Sequence, residues 1–333
     1  MSYELTDRNS MGSKFWDWPL IAIAALIFLN MTQPWLVMGV GEFIVLGIST
    51  SAVFVLLWWS DKFEREPART IFWAFMWGAA PACLFAYYLE LANGALPAGV
   101  FFEETAKLIG LLMIIRRDSV QSWTDGFVMG GFIGLGFAAV EDVVYAINGE
   151  NSIQILVTRG IFSIFAHTFF SGLGAAIIVM GYLSRQWWKL GLGFFVAFAL
   201  HLSWNQMLAW HIFDYNLAGF FIFYSFLPPT VLWTVAYLLR WHEKQILVTQ
   251  GRFAVQAGAM SEQELHVIVD LKARKRMIKN QISPVQRKII KAKINDDARR
   301  LLSGDYEKAW QLPATTFDLM QDIDSAGDDQ TYR

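Results

Sequence analysis

Apolar residues in this chain are gathered into long runs that short polar stretches separate. A helix needs about 20 apolar residues to cross the hydrocarbon core of a bilayer, which is close to the length of these runs. The pattern predicts eight membrane-spanning helices, at residues 18–38, 42–59, 71–91, 99–115, 126–147, 154–183, 190–210 and 218–239. The expected fold class is therefore all-α: a polytopic membrane helical bundle of about eight transmembrane helices, followed by a helical cytoplasmic C-terminal tail.

The stretches between the runs alternate in charge, which predicts the orientation of the chain. The stretches after runs one, three, five and seven contain no lysine or arginine, whereas those after runs two, four and six do. Because positive residues stay on the cytoplasmic side, both termini are expected in the cytoplasm of a multi-pass protein of the cell membrane. The basic residues that set this orientation are Lys62, Arg65, Arg69, Arg116, Arg117, Arg185 and Lys189.

Composition agrees with a membrane protein and limits its covalent chemistry. The chain is 55% hydrophobic and 17% charged, whereas soluble domains are about a quarter charged. The single cysteine, Cys83, excludes an intramolecular disulfide and a cysteine metal cluster. No small-residue cleavage pattern follows the first apolar run, so we expect that run to be a retained anchor.

We expect three regions: a cytoplasmic N-terminal tail at 1–17, a transmembrane domain at 18–240, and a cytoplasmic C-terminal tail at 241–333. In the C-terminal tail, Ser261 and Glu264 have the spacing of a helix capping box. Residues 317–333 are acidic and are expected to be disordered.

The C-terminal tail also carries a dense basic segment without any acidic residue. Next to a membrane, such a segment can lie on anionic lipid, and a solvated helical face explains it equally well. Membrane lipids are therefore expected partners, and nucleic acid is not. The nine basic residues are Lys272, Arg274, Lys275, Arg276, Lys279, Arg287, Lys288, Lys291 and Lys293.

Four consecutive apolar runs, the fourth to the seventh, contain ionisable residues. A charge in hydrocarbon costs several kcal/mol unless it is paired or solvated. At 1.5 Å per residue, the glutamates and histidines of these runs all lie within roughly 20 Å of the outer surface. This shared depth predicts that they form one site. The residues concerned are Glu103, Glu104, Lys107, Glu141, Asp142, Arg159, His167, His201 and Asn205.

Local spacing supports a common site. Lys107 follows Glu103 by four residues and Glu104 by three, so it can neutralise either carboxylate on one helical face. His201 and Asn205 are also one turn apart, as are Phe137 and Glu141. Glycines of the fifth run form small-xxx-small patterns, which allow a neighbouring helix to come close.

Two further charges are expected to have supporting roles. Asp142 follows Glu141 directly, so its side chain points about 100° away and is expected to be structural. Arg159, near the outer surface, is expected to serve as a charge partner.

Paired carboxylates, two histidines and an asparagine in a partly dry cavity suit hydrolysis. A glutamate can act as general base towards water, a histidine can share the proton or polarise the carbonyl, and Asn205 can donate to an oxyanion. Ser171 and Ser203 lack a spaced base, so we expect no serine nucleophile. The HExxH motif of zincins is absent. The residue types are compatible with a zinc ion bound by His167, His201 and Glu104, although no cofactor is required by the pattern.

The same cluster also suits a different class of protein. Chains of carboxylates and histidines in membrane helices form proton relays, so a proton-coupled transporter or channel is the alternative. No paired runs broken by glycine or proline occur in corresponding halves of the chain, which favours the enzyme.

Four short motifs, in this order on successive runs, resemble the PrsW family of intramembrane proteases, which is related to the CAAX prenyl endopeptidases. They are "EETAK" at 103–107, "FAAVE" at 137–141, His167, and "HLSWN" at 201–205. The resemblance covers about residues 70–240. It implies a membrane-embedded protease, glutamic-type or metal-dependent, in which Glu103, Glu104, His167 and His201 are catalytic.

The resemblance also makes Glu141 and Asn205 second-rank members of the site, and helical spacing gives Lys107 and Phe137 supporting roles beside them. Lysine at 107 and glutamate at 141 depart from the CAAX enzymes, which have arginine and histidine in the comparable motifs, so processing of prenylated substrates is not expected. The family's namesake cleaves a membrane-anchored anti-sigma factor on its extracytoplasmic side. The implied substrate is a single-span or juxtamembrane protein segment, of which an anti-sigma factor is one example. A catalytically silent relative that only binds membrane proteins is a third interpretation.

Overall fold

The computed structural model describes residues 38–93, 97–117, 120–209, 217–281 and 283–303, and these residues contain no β-strand. The first predicted apolar run lies outside them except for its last residue, as do the N-terminal tail and the acidic C-terminal end. The predictions made for those segments therefore lie outside the described residues.

Every other predicted apolar run coincides with helix wherever its residues are described. The helices are α1 (Val40–Ser60), α2 (Ala68–Trp77), α3 (Cys83–Asn93), α4 (Ala98–Arg117), α5 (Trp123–Asn148), α6 (Ser152–Leu183), α7 (Trp188–Ala209), α8 (Leu217–Gln256), α9 (Glu262–Val269), α10 (Leu271–Asn280) and α11 (Pro284–Ser303). A π-helical turn, Gly78–Ala82, joins α2 to α3 and contains Pro81.

The structure is that of an all-α membrane protein. Within the described ranges, four helical segments are long and apolar enough to cross a membrane: Val40–Ser60, Ala68–Leu89, Trp123–Asn148 and Ser152–Leu183. The runs on α4, α7 and α8 are helical, and their crossing of the membrane stays a prediction, as does the total of eight spans.

Helix α5 is the centre of the bundle and is buried along almost its whole length. A Cβ atom added at Gly130 or Gly134 would lie less than 3.0 Å from backbone carbonyl atoms of α6, at Ser171 and His167 respectively. The small-xxx-small pattern therefore does allow backbone-to-backbone packing, as predicted. This close approach brings the polar residues of α5 and α6 to one level.

The C-terminal helices pack against the bundle rather than apart from it. Helix α8 continues to Gln256, well past the predicted end of the last apolar run at 239. Phe63, in the loop after α1, belongs to the apolar core that α8, α9 and α11 form. The predicted capping box is present: Ser261 N donates to Glu264 Oε2 at 2.7 Å, and Glu264 N donates to Ser261 Oγ at 3.2 Å.

One member of the basic segment has a structural role. Arg274 is buried, and its guanidinium donates to the carbonyl of Phe63 at 2.9 Å and to the side chain of Asn295. It therefore joins α10 and α11 to the loop after α1.

Candidate functional site

Helix α4 supplies two carboxylates and a lysine, all buried. Lys107 Nζ donates to Glu104 Oε1 at 2.8 Å and lies 3.7 Å from Glu103 Oε2. The ammonium thus contacts both carboxylates, as the i,i+3 and i,i+4 spacings predict, and binds Glu104 more closely.

Helix α7 brings His201 to the same carboxylate. Nδ1 of His201 lies 2.9 Å from Glu104 Oε1, and Nδ2 of Asn205 lies 3.3 Å from Nε2 of the same ring. A carboxylate only accepts and an amide NH₂ only donates, which assigns the ring proton to Nδ1 and the lone pair to Nε2. Asn205 therefore holds the imidazole in one orientation and one tautomer.

Helix α6 places His167 between the lysine and a third glutamate. Its Nδ1 lies 3.3 Å from Lys107 Nζ, and its Nε2 lies 3.1 Å from Glu141 Oε2. The ammonium donates to Nδ1, so the ring proton is assigned to Nε2, which donates to Glu141. The rings of His167 and His201 are 4.6 Å apart, centre to centre.

Aromatic rings line the same region. The ammonium of Lys107 lies 3.9 Å from the centre of the Phe137 ring, a cation–π arrangement, and that ring is 5.6 Å from His167. The ring of Phe170 stacks on His201 at 6.0 Å. Phe170 was not predicted as a site residue, because nothing in the sequence distinguishes it from the other aromatic residues of its run.

Arg159 is the charge partner that the sequence predicts. Its guanidinium donates to Asp142 Oδ1 and to Glu141 Oε2, both at 2.6 Å, and to Ser163 Oγ at 3.1 Å. Asp142 is fully buried and binds this arginine, which agrees with a structural role. Glu141 is shared between Arg159 and His167, so a hydrogen-bonded chain runs from the arginine to the site.

A cavity of about 20 Å³ lies beside Glu104, Lys107 and Ser171. This is room for about one water molecule. Ser171 Oγ is buried and has no hydrogen-bond partner among the described residues. No histidine activates this hydroxyl, and Ser203 is exposed, so the described residues contain no activated serine near the site.

Four residues of the cluster could hold a metal ion. Glu103, Glu104, His167 and His201 are buried, and each offers a ligand atom within 4.8 Å of the others. Imidazole nitrogens combined with carboxylate oxygens are a donor set that suits zinc. Lys107 contacts three of these four side chains, Glu103, Glu104 and His167, so a metal ion would compete with the ammonium for their donor atoms.

Comparison with known proteins gives a consistent result. The family model described as PrsW family intramembrane metalloprotease matches residues 66–233, a range that includes all the predicted site residues. The chain is 23% identical over 181 residues to Protease PrsW of Geobacillus kaustophilus, an alignment that covers 49% of this chain and 76% of that protein.

Two further relatives carry the same name. Protease PrsW of Oceanobacillus iheyensis is 28% identical over 136 residues, covering 38% of this chain and 55% of the relative. Protease PrsW of Clostridioides difficile is 27% identical over 138 residues, covering 37% and 56%. The chain therefore spans about three quarters of one of these relatives and just over half of the other two. No solved structure matches this chain significantly.

Proposed function

The chain belongs to the PrsW family of intramembrane metalloproteases, and from this premise we propose that it hydrolyses peptide bonds of membrane-anchored proteins near the extracytoplasmic side. The observation that carries the proposal is the convergence of Glu103, Glu104, His167 and His201 from three different helices onto one buried point. Ionisable residues are costly to place in a membrane, and those that occur there typically mark a functional site.

In the proposed reaction, a carboxylate of the Glu103/Glu104 pair accepts a proton from water as the water attacks the scissile carbonyl. The small cavity beside Glu104 is the proposed position of that water. The same carboxyl group then gives that proton to the leaving amine as the C–N bond breaks. His201 donates its Nδ1–H to Glu104 and so holds that carboxylate in place. Asn205 keeps the imidazole in the tautomer whose Nδ1–H makes this hydrogen bond.

The other charged residues of the site either offset the charge of the carboxylate pair or orient a histidine. Lys107 contacts both carboxylates, which reduces the repulsion between two buried negative charges. Glu141 accepts a hydrogen bond from Nε2–H of His167. This bond keeps Nδ1 of the ring facing Lys107. We therefore assign Lys107 and Glu141 to positioning.

We further propose that His167, His201 and Glu104 are the ligands when the protein binds zinc. A bound ion would polarise the scissile carbonyl. Glu141 would then orient the imidazole of His167 through the hydrogen bond that it already accepts.

The proposed substrate is a single-span or juxtamembrane protein segment, of which an anti-sigma factor is one candidate. The orientation derived from the basic loops puts the site in the outer half of the membrane, with both termini in the cytoplasm. Cleavage is therefore expected on the extracytoplasmic side of the substrate's span.

The test is co-expression with a panel of single-span reporter proteins. Wild type is expected to release a fragment, Glu103→Gln, Glu104→Gln and His201→Ala are not, and Glu150→Gln, an exposed glutamate after α5, is the matched control. A chelator added to the purified protein separates a metal-dependent mechanism from one that uses carboxylate and histidine alone. The proposal fails if the three variants still cut, or if wild type cuts no reporter and instead carries protons into vesicles.

We also propose that the basic segment of the tail contacts anionic lipid. With the loop after α1, it lines a cavity of about 480 Å³, and such a basic surface attracts anionic headgroups. Hydrogen exchange of α10 in nanodiscs is expected to be slower with phosphatidylglycerol than with phosphatidylcholine, and equal rates would contradict the proposal. The basic residues around the cavity are Lys62, Arg65, Arg274, Lys275, Lys279, Arg287 and Lys291.

A further inference from the structure

A second cluster of carboxylates lies at the end of the bundle where the C-terminal helices pack. Three residues come from the loop after α1, one from the first turn of α5 and one from α8. None has more than 6% of its surface exposed. The five residues are Asp61, Glu64, Glu66, Asp125 and Glu243.

Three of these carboxylates form a compact set of oxygen atoms. Glu64, Glu66 and Asp125 each offer an oxygen within 4.8 Å of the others. Asp125 is held by the capping box of α5, where its carboxylate accepts from Gln121 N at 2.8 Å and Ser122 N at 2.9 Å. These bonds leave further lone pairs on the Asp125 oxygens and fix the direction of the side chain.

Several of the carboxylate oxygens have no hydrogen-bond partner among the described residues. They are one oxygen each of Asp61, Glu64 and Glu66, and both oxygens of Glu243. A buried, unpaired carboxylate oxygen is costly, so such a group calls for a partner. Glu243 is the clearest case, because its carboxylate is buried on a different helix and interacts electrostatically with Asp61, Asp125 and Glu64.

If all five carboxylates are ionised, the cations of the described residues do not balance their charge. The guanidinium of Arg299 binds Glu64. The guanidiniums of Arg65 and Arg240 lie over tryptophan rings and attract the carboxylates of Asp61 and Glu243 respectively. If all three are counted against the five carboxylates, two negative charges remain. That remainder is the charge of one divalent cation.

Protons are the other partners that these groups could take. Burial, reinforced by the neighbouring carboxylates, raises the pKa of Glu66 to about 10 and that of Glu64 to about 7. A cation and protons are thus competing occupants of the cluster, and an experiment has to separate them.

We propose that Glu64, Glu66 and Asp125 bind one divalent cation, with Asp61 and Glu243 beside it. All the donors are carboxylate oxygens, which favours a hard cation such as Mg²⁺, Mn²⁺ or Ca²⁺ over zinc. The site is separate from the histidine cluster and does not rest on the proposed proteolytic function. Its role is structural: it joins the loop after α1 to the first turn of α5 and, through Glu243, to α8.

The test uses the full-length protein in detergent after removal of metal with a chelator. Mn²⁺ is titrated in, and the free ion is measured by electron paramagnetic resonance. Wild type is expected to bind one Mn²⁺. Glu66→Gln and Glu243→Gln are each expected to lower the affinity for this ion by about tenfold or more, as is typical of changes around a metal site. Glu262→Gln, an exposed glutamate of α9, is the matched control and is expected to bind as wild type does.

Two further measurements keep the result unambiguous. His201→Ala is expected to retain this Mn²⁺ site, which separates it from the histidine cluster. Mg²⁺ and Ca²⁺ are expected to raise the thermal midpoint of wild type but not that of Glu66→Gln. The proposal is overturned if Glu66→Gln and Glu262→Gln bind Mn²⁺ equally. It is also overturned if wild type binds no Mn²⁺. A third contrary result is that Glu66→Gln stabilises the metal-free protein while no cation shifts the thermal midpoint of wild type. That result is expected if protons, and not a cation, occupy the carboxylates.

Discussion

Glu104 Oε1 and His201 Nδ1 lie 2.9 Å apart, although 97 positions separate the two residues in the chain. The same oxygen accepts from Lys107 at 2.8 Å, so one carboxylate joins a histidine of α7 to a lysine of α4. The site therefore depends on the packing of α4 against α7 as much as on the identity of its residues.

Asn205 is expected to act on catalysis through His201. Replacing it with alanine removes the donor to Nε2 and frees the ring to change its tautomer. We expect Asn205→Ala to lower kcat by about 10- to 100-fold with little change in KM, as for other residues that orient a functional imidazole. Steady-state cleavage of a reporter substrate measures this, and an unchanged kcat would show that the amide does not position the ring.

Lys107 is expected to stabilise the fold and to oppose metal binding. Lys107→Met leaves two buried carboxylates without their shared cation, which should cost about 3–5 kcal/mol in the free energy of unfolding. The same change removes the competitor for Glu104 and His167, so the zinc affinity of the variant should rise. Unfolding in detergent and zinc titration measure the two effects, with exposed Lys244→Met as control. Weaker zinc binding by Lys107→Met would contradict the competition.

Gly134 is expected to tolerate no larger side chain. An added Cβ would lie less than 3.0 Å from the carbonyl of His167, so Gly134→Ala must push α5 and α6 apart. We expect a loss of about 1–3 kcal/mol in stability and a loss of activity. Gly47→Ala, on α1, is the matched control because its added Cβ meets nothing within 4 Å. Equal stability of the two variants would argue against the tight contact.

Arg159 is expected to matter as the partner of two carboxylates. Arg159→Met should lower the free energy of unfolding by about 2–3 kcal/mol, because Glu141 and Asp142 lose a charged donor. Adding Glu141→Gln to that variant removes one unpaired charge and should restore part of the loss. A double-mutant cycle by thermal unfolding measures the coupling, and strictly additive effects would contradict a direct interaction.

Ser171 is expected to influence the cavity beside Glu104. Ser171→Val fills much of a space of about 20 Å³ and should abolish cleavage while the protein stays folded. Ser171→Ala leaves the space and should retain more activity. Equal activity of the two variants would place the attacking water elsewhere.

Local features of this protein could be predicted from the sequence because their causes lie within a few residues. From residue 40 onward, the predicted apolar runs correspond to helices in the described residues. They could be predicted because run length and hydropathy are properties of adjacent positions. The contact of Lys107 with Glu103 and Glu104, and the capping box of Ser261 and Glu264, follow from helical geometry alone.

Contacts between helices required the tertiary structure. The sequence places Glu104, His167 and His201 at similar depth, but it does not say which ring nitrogen meets which oxygen. The packing of α4 against α7 brings Glu104 to His201. The close approach of α5 to α6 at Gly134 brings Glu141 to His167.

The acidic cluster could be predicted from the sequence even less than the contacts between the glutamates and histidines. In the sequence, Glu64 and Glu66 lie in the polar stretch after the second apolar run, and Asp125 lies directly before the fifth run. Only the fold buries them together, because α8 and the C-terminal helices close over the loop after α1. Burial and charge density arise from distant segments meeting in space, and neither is encoded by the spacing of neighbouring residues.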